Sequence, residues 1–185
     1  MLRGKRVDTG AGAAQDCRSM TPEAAGKPLP TESLREEHGK FLAAIHALGE
    51  RLEKLHEQTT LEQLSLARDV VDLVKRQIAP HARAEEYSLY PAADWAAGEG
   101  SKLTELARFE HQLVAQRLDA LEKAISKGAP PGKLMHLSYG ILGLVAAHFT
   151  TTDEVLLPYL DKAFDTERFE KEVLSPLRAE RAAKR

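Results

Sequence analysis

From Thr31 onward the chain places apolar residues at spacings of three and four almost without a break, and nowhere shows the alternation of a half-buried strand. That period restricts the fold to helices packed on helices. With Thr31 as N-cap, Leu34, Phe41, Leu42, Ile45, Leu48, Leu52 and Leu55 form the stripe of a first helix that ends near Glu57. Thr60 is expected to cap a second, with Leu64, Val70, Val71, Val74 and Ile78 running towards Tyr90, and Pro80 inside it must break one backbone hydrogen bond. Gly98 and Gly100 end that helix. Ser101 is expected to cap a third, with Leu103, Ala107, Val114, Leu118, Leu121 and Ile125 inward. The run from Lys127 to Gly132 reads as a loop, and a fourth helix follows from about Lys133 to about Ala163 with Leu134, Leu137, Ile141, Leu144 and Val145 on its inner face. A last short helix near Glu167 to Ala182 reads as mostly polar and interrupted by Pro176.

Four long amphipathic helices on short loops predict an all-α, up-down-up-down four-helix bundle with a short extra C-terminal helix. The expected division is a tail at 1–30, a bundle at 31–164 and a polar C-terminal helix and tail at 165–185. The tail is glycine- and proline-bearing and aperiodic, which predicts disorder. Met20 is a candidate physiological start. At 185 residues a single domain can bury a conventional core, so a metal would serve chemistry more than folding. The single cysteine, Cys17, excludes an internal disulfide and a thiolate zinc centre, and fits a reducing, cytoplasmic compartment. A formal charge of −2 offers no phosphate-binding excess, so nucleic acid is not an expected partner. No apolar stretch approaches about 20 residues, and the basic first residues lead into no apolar run, so neither a membrane-spanning helix nor a signal peptide is expected.

Polar residues fall where the core should be. His38 lies four after Leu34 and three before Phe41, and His81 and Glu85 continue the Val74, Ile78 ladder towards Leu89. His111 sits between Ala107 and Val114, and His148 follows Leu137, Ile141 and Leu144 at the same spacings. In an up-and-down arrangement, His38 and His111 lie near helix starts, while His81 and His148 lie about sixteen residues before ends, which sets all four in one half of the bundle at about 1.5 Å per residue. Unpartnered buried imidazoles and carboxylates are costly, so they pair or bind a metal. Imidazole with carboxylate suits iron, manganese or zinc. A satisfied, metal-free polar core is the alternative. Three histidines act as controls: His46 at the stripe's edge, His136 pointing away, and His56 at the opposite end about 27 Å from His38.

These residues resemble the hemerythrin-like (HHE cation-binding) domains over about Leu34 to Phe164. His81-Ala-Arg-Ala-Glu85-Glu86-Tyr87-Ser88-Leu89-Tyr90-Pro91 is similar to the family's H-x-x-x-E-E-x-x-L-[FY]-P signature, and Pro80 before it is also common there. Glu37-His38 and Glu110-His111 look like its single-histidine helices, and His148 through Leu156-Leu157-Pro158 repeats the spacing of the second helix. The resemblance implies a non-haem di-iron bundle, with His38, His81, His111 and His148 as ligands and Glu85 as bridge. Thr152 stands where most of these domains carry a second bridging glutamate. His148-Phe-Thr-Thr-Thr-Asp153 is similar instead to the H-x-x-x-x-D form of the animal oxygen carriers. Asp153 is therefore expected as second bridge, with Glu110 competing. Five residues turn about 140° past a full revolution on an ideal helix, so that role requires a local distortion. Glu86 and Glu154 are expected in the outer shell or facing solvent. The oxygen carriers have H-x-x-x-H in the third helix, whereas Ala115 follows His111 here, which implies an open position on one metal.

The resemblance implies a carboxylate-bridged pair of irons, with manganese or zinc as alternatives, meeting O2, NO or peroxide as sensor, scavenger or store. Its repair proteins for iron–sulfur clusters carry an additional N-terminal cysteine-containing domain, for which the tail with Cys17 gives no support. A small-molecule oxidase or peroxidase is the enzymatic alternative, although Arg35, Ile78, Arg108 and Val145 stand where Glu-x-x-His pairs would place glutamates. A single-metal site, or a metal-free helical interaction module, is the third.

Overall fold

The computed structural model describes residues 28–54 and 59–183; Cys17, Met20, Leu55, His56 and nearly all of the expected N-terminal tail lie outside them. The described residues are helical, without a strand. The helices are α1 (Glu32–Glu53), α2 (Thr60–Leu73), α3 (Ala79–Ala84), α4 (Tyr90–Ala97), α5 (Glu105–Ser126), α6 (Pro131–Thr151), α7 (Leu157–Ala163), α8 (Thr166–Phe169) and α9 (Ser175–Ala183). α5 packs along α6, α1 and α2 pack on α6 and on each other, α4 meets α7, and α9 lies against α3. No helix among the described residues is long and apolar enough to cross a membrane.

Four π turns join these pieces, at Val74–Ile78, Glu85–Leu89, Thr152–Leu156 and Glu170–Leu174. Each has a proline two residues after its last member: Pro80, Pro91, Pro158 and Pro176. A proline in a helix has no N–H and its ring collides with the carbonyl four residues back. One extra residue in the preceding turn relieves both, because the bond is made from the residue before the proline to a carbonyl five back. Ala79 bonds to Val74, Tyr90 to Glu85, Leu157 to Thr152 and Ser175 to Glu170 in this way. Pro176 therefore does not interrupt the last helix, as its sequence suggested; it widens one turn.

The helix ends differ from the sequence reading in three places. Thr59, not Thr60, caps α2, because Glu62 then sits at its third position: the Glu62 N–H donates to the Thr59 hydroxyl at 3.3 Å and the Thr59 N–H to Glu62 at 2.7 Å. Ser101 only accepts from Leu103 within a turn, and α5 begins after Thr104. Pro131 already opens α6, where its missing N–H is harmless. Gly98 does end α4, at a φ of 100° that side chains rarely adopt.

Two apolar clusters fill the interior. One gathers Phe41, Ile45, Val70, Ile78, Val114, Leu121, Ile141 and Val145; the other gathers Leu34, Leu89, Ala107, Leu156, Leu157, Phe169, Val173 and Leu177. The C-terminal segment is thus not simply polar: Phe169, Val173, Leu174 and Leu177 are buried in the second cluster. Along each long helix the expected histidine falls at the boundary, between Leu34 and Phe41, Ile78 and Leu89, Ala107 and Val114, Val145 and Leu156. Packing therefore holds one polar layer between two apolar ones.

Candidate metal centre

In that layer the four imidazoles turn their Nε2 atoms towards Glu85, which is wholly buried. Nε2 of His38 and of His81 lie 3.5 Å and 3.3 Å from Oε1, and those of His111 and His148 lie 3.3 Å and 3.5 Å from Oε2. Within each pair the nitrogens are 3.1 Å apart. The result is two donor triads, His38–His81–Glu85 and Glu85–His111–His148, sharing one carboxylate. Ligands bound at about 2.0–2.2 Å stand about 2.9–3.5 Å from one another in tetrahedral or octahedral geometry, which is the separation found in both triads. The donor set suits a cation: oxygen and imidazole, without thiolate.

Three of the four far nitrogens are spoken for as well. Nδ1 of His38 donates to Asp153 at 2.6 Å, Nδ1 of His111 to Glu86 at 2.8 Å, and Nδ1 of His148 to Glu110 at 2.9 Å. A carboxylate can only accept, so each holds a proton on Nδ1 and leaves Nε2 as the nitrogen that faces the centre and can give up its proton to a cation. Glu37 approaches Nδ1 of His81 at 3.7 Å, beyond hydrogen-bond length, and takes Arg181 of α9 as its partner. Buried Glu85 Oε1 has no hydrogen-bond partner. A cation between the nitrogens satisfies that oxygen and the converging lone pairs together.

The structure brings His38, His81, Glu85, His111 and His148 to one centre and leaves Asp153 outside it. The expected bridge is instead the acceptor of His38 Nδ1, since the π turn starts at Thr152 and it is Thr152 that occupies the buried position. Glu110 likewise serves His148 from outside. Glu86 is an outer partner and Glu154 is exposed, while His46 and His136 are exposed and away from the layer.

The arrangement is nearly two-fold. Thr31-x-x-x-Arg35-x-Glu37-His38 recurs as Thr104-x-x-x-Arg108-x-Glu110-His111, a repeat legible in the sequence. The Thr31 hydroxyl donates to Asp161 at 2.8 Å as that of Thr104 does to Asp94 at 2.7 Å, and Arg35 and Arg108 each donate to their threonine at 3.2 Å. These contacts explain why neither threonine caps its helix. The relation pairs His38 with His111, His81 with His148, Glu37 with Glu110 and Asp153 with Glu86. It fails at Glu85 against Thr152 and at Tyr90 against Leu157. Tyr90 went unassigned in sequence, because a residue five after Glu85 shares its face only across a π turn.

The electrostatics favour positive charge in the layer. Burial alone would lower His81, but the charge of Glu85 and the contacts of Glu37 and Glu85 outweigh it and raise it to about 9. For His148 burial is outweighed by Glu110 and Glu85, again to about 9, and His38 is raised by Asp153 and Glu85. Burial would raise Glu85, yet the His81 charge and bonds from His111, His148 and His38 hold it well below the ordinary carboxylate range. A histidine whose folded value is raised above its ordinary 6.5 stabilises fully below about 6.5 and loses that contribution as pH climbs through about 9. The midpoint of thermal unfolding of the metal-free protein should therefore fall between pH 6.5 and 9.5, and zinc binding near pH 7 should release protons that are no longer released above about pH 10. Melting curves across that range, with calorimetric titration in buffers of different ionisation enthalpy, check both. A flat profile with no proton release contradicts the assignment.

Comparison with protein-family models matches residues 29–160, more than two thirds of the chain, to the Hemerythrin HHE cation binding domain. Searches of curated proteins and of solved structures gave no match.

Proposed function

The chain belongs to the hemerythrin HHE cation-binding domain family, and on that footing we propose that it holds two non-haem irons bridged by Glu85 and uses them to meet O2, NO or peroxide. The observation that carries this reading is one buried carboxylate facing an imidazole pair with each of its two oxygens. His38 and His81 would hold one ion, His111 and His148 the other. Iron held there would supply one-electron redox chemistry to a small ligand. The chain's own residues do the rest: Asp153, Glu86 and Glu110 orient the rings, and the aromatic wall of Phe41 and Phe149 excludes water beside His38 and His81.

A cavity of about 290 Å³, lined by Ala82, Val114, Ala115, Leu118 and Val145, gives access to both halves, reaching His81 as well as His111, His148 and Glu85. Ala115 is exposed at its edge, where a larger residue would close it. We read the four long helical stretches as an up-down-up-down bundle at 31–164, in a reducing, cytoplasmic compartment, with sensing, scavenging or storage as the role. Manganese or zinc fits the same donors.

Reconstitution with ferrous iron under anaerobic conditions, followed by air and metal analysis, tests the proposal. About two irons per chain and a near-ultraviolet absorption that bleaches on reduction are expected. One iron per chain would indicate a single-metal site, and less than half an equivalent would leave a metal-free helical module.

A further inference from the structure

The near two-fold relation of the centre is broken by a phenol. Tyr90 is fully buried, and its hydroxyl oxygen stands 3.1 Å from His111 Nε2 and 3.4 Å from Glu85 Oε2. Those separations match the ones among His111, His148 and Glu85 themselves. Its ring stacks on His111, 5.5 Å between centroids, so the oxygen is held by packing on both sides. The corresponding residue of the other half is Leu157, which offers no donor, and the His38–His81 pair faces Phe41 and Phe149 instead.

A hydrogen-bonding role alone does not survive the arrival of a cation. His111 donates through Nδ1 to Glu86, so its Nε2 can only accept, and it is the shorter of the two acceptors open to the Tyr90 hydroxyl. A cation bound in the triad takes that lone pair. The hydroxyl is then left with the long contact to an oxygen that is itself a ligand, and a buried hydroxyl stripped of its acceptor is costly.

We propose that Tyr90 is a fourth protein ligand of the ion at His111, His148 and Glu85, bound through its phenolate oxygen. The O–H bond breaks, an oxygen–metal bond forms, and the proton leaves to solvent past Ala115; no electron is transferred. Burial and the charges of Glu85 and Glu86 raise the Tyr90 hydroxyl far above its ordinary range, and the Arg108 guanidinium, 5.0 Å above the ring, offsets them only in part, so it is the positive charge of a bound cation that would displace the proton. Phenolate also adds a second anionic oxygen to a centre whose other half has Thr152 in place of a carboxylate. The two ions are then unlike: one held by two imidazoles and Glu85 beside Phe41 and Phe149, the other held by the Tyr90 oxygen as well.

This inference rests on the metal-binding reading, and its test separates the two. Iron-loaded protein should show a visible phenolate-to-ferric charge-transfer band, and resonance Raman excitation in that band should enhance phenolate ring modes. Tyr90→Phe keeps the ring and its packing; it should retain about two irons and the near-ultraviolet absorption while the visible band falls at least tenfold. Two irons per chain without phenolate modes in the unaltered protein, or a band that persists in Tyr90→Phe, overturns the assignment of Tyr90 alone. Less than half an iron per chain overturns the metal site and the ligand with it. The Raman measurement on the unaltered protein decides the question even if the variant folds poorly.

Discussion

Glu85→Gln is expected to abolish loading of both ions, from about two irons per chain to less than about half an equivalent. The carboxylate contributes one oxygen to each triad, so a neutral amide there weakens two sites at once, and it removes the negative charge buried among the four rings. His38→Ala and His111→Ala each remove a donor from one triad only and should leave about one ion. Ligands must be deprotonated for a metal to bind, and Glu85 is also the chief support for charge on His81, so the variant should release fewer protons on titration with zinc. The metal-free fold should persist, because Gln fills the same volume between two intact apolar clusters. Metal analysis of the three variants beside the parent decides the matter. If Glu85→Gln retains two ions, or if a single histidine variant loses both, the shared-carboxylate arrangement is wrong.

The polar layer was legible because it obeys the helix period. His38, His81, Glu85, His111 and His148 each fall three or four residues from a neighbour that packs in one of the two clusters, and periodicity alone turns them inward. What escaped was carried by departures from that period. Asp153 and Tyr90 lie at or near π turns, where a wheel of 3.6 residues misplaces a side chain by most of a right angle; one was expected to bridge and stands outside the triads on His38 Nδ1, the other was given no role and stands 3.1 Å from His111 Nε2. Pro80 and Pro176 read in sequence as breaks, but the position of all four prolines two residues after a widened turn becomes meaningful only with the turn in view. Thr31 and Thr104 show a further limit. Both precede helices, as good caps do, yet their hydroxyls are drawn off by Asp161 and Asp94 on distant segments, a tertiary contact that no local pattern contains. The repeated Thr-x-x-x-Arg-x-Glu-His did lie in plain sequence, and would have paired the two halves of the centre.

Phe169→Ala is expected to destabilise the metal-free protein by about 3–5 kcal/mol, the range for deleting a fully buried aromatic side chain. Its midpoint of thermal unfolding should drop by about 10 °C, at roughly 2–4 °C per kcal/mol for a chain of this size. The family match ends at residue 160, and a composition rich in charge made the remainder look peripheral. The packing argues otherwise. Phe169 is wholly buried against Phe164, with ring centroids 5.9 Å apart, and Val173 and Leu177 continue the same face, where the segment packs on α3 and on the Glu85–Leu89 turn. Ser88, inside the π turn that follows Glu85, donates its hydroxyl to the Val173 carbonyl at 2.7 Å. That turn sets Glu85 and Tyr90 on one face, so the C-terminal helix buttresses the element that shapes the centre, and Arg181 reaches Glu37 from the same side. Stability and metal binding should nevertheless separate: at temperatures where Phe169→Ala is folded it should still load about two irons, because none of the five central residues touches the deleted ring. A shift in midpoint of less than about 2 °C, the size of an ordinary surface substitution, would mean that the segment beyond the family match is an appendage and not part of the core.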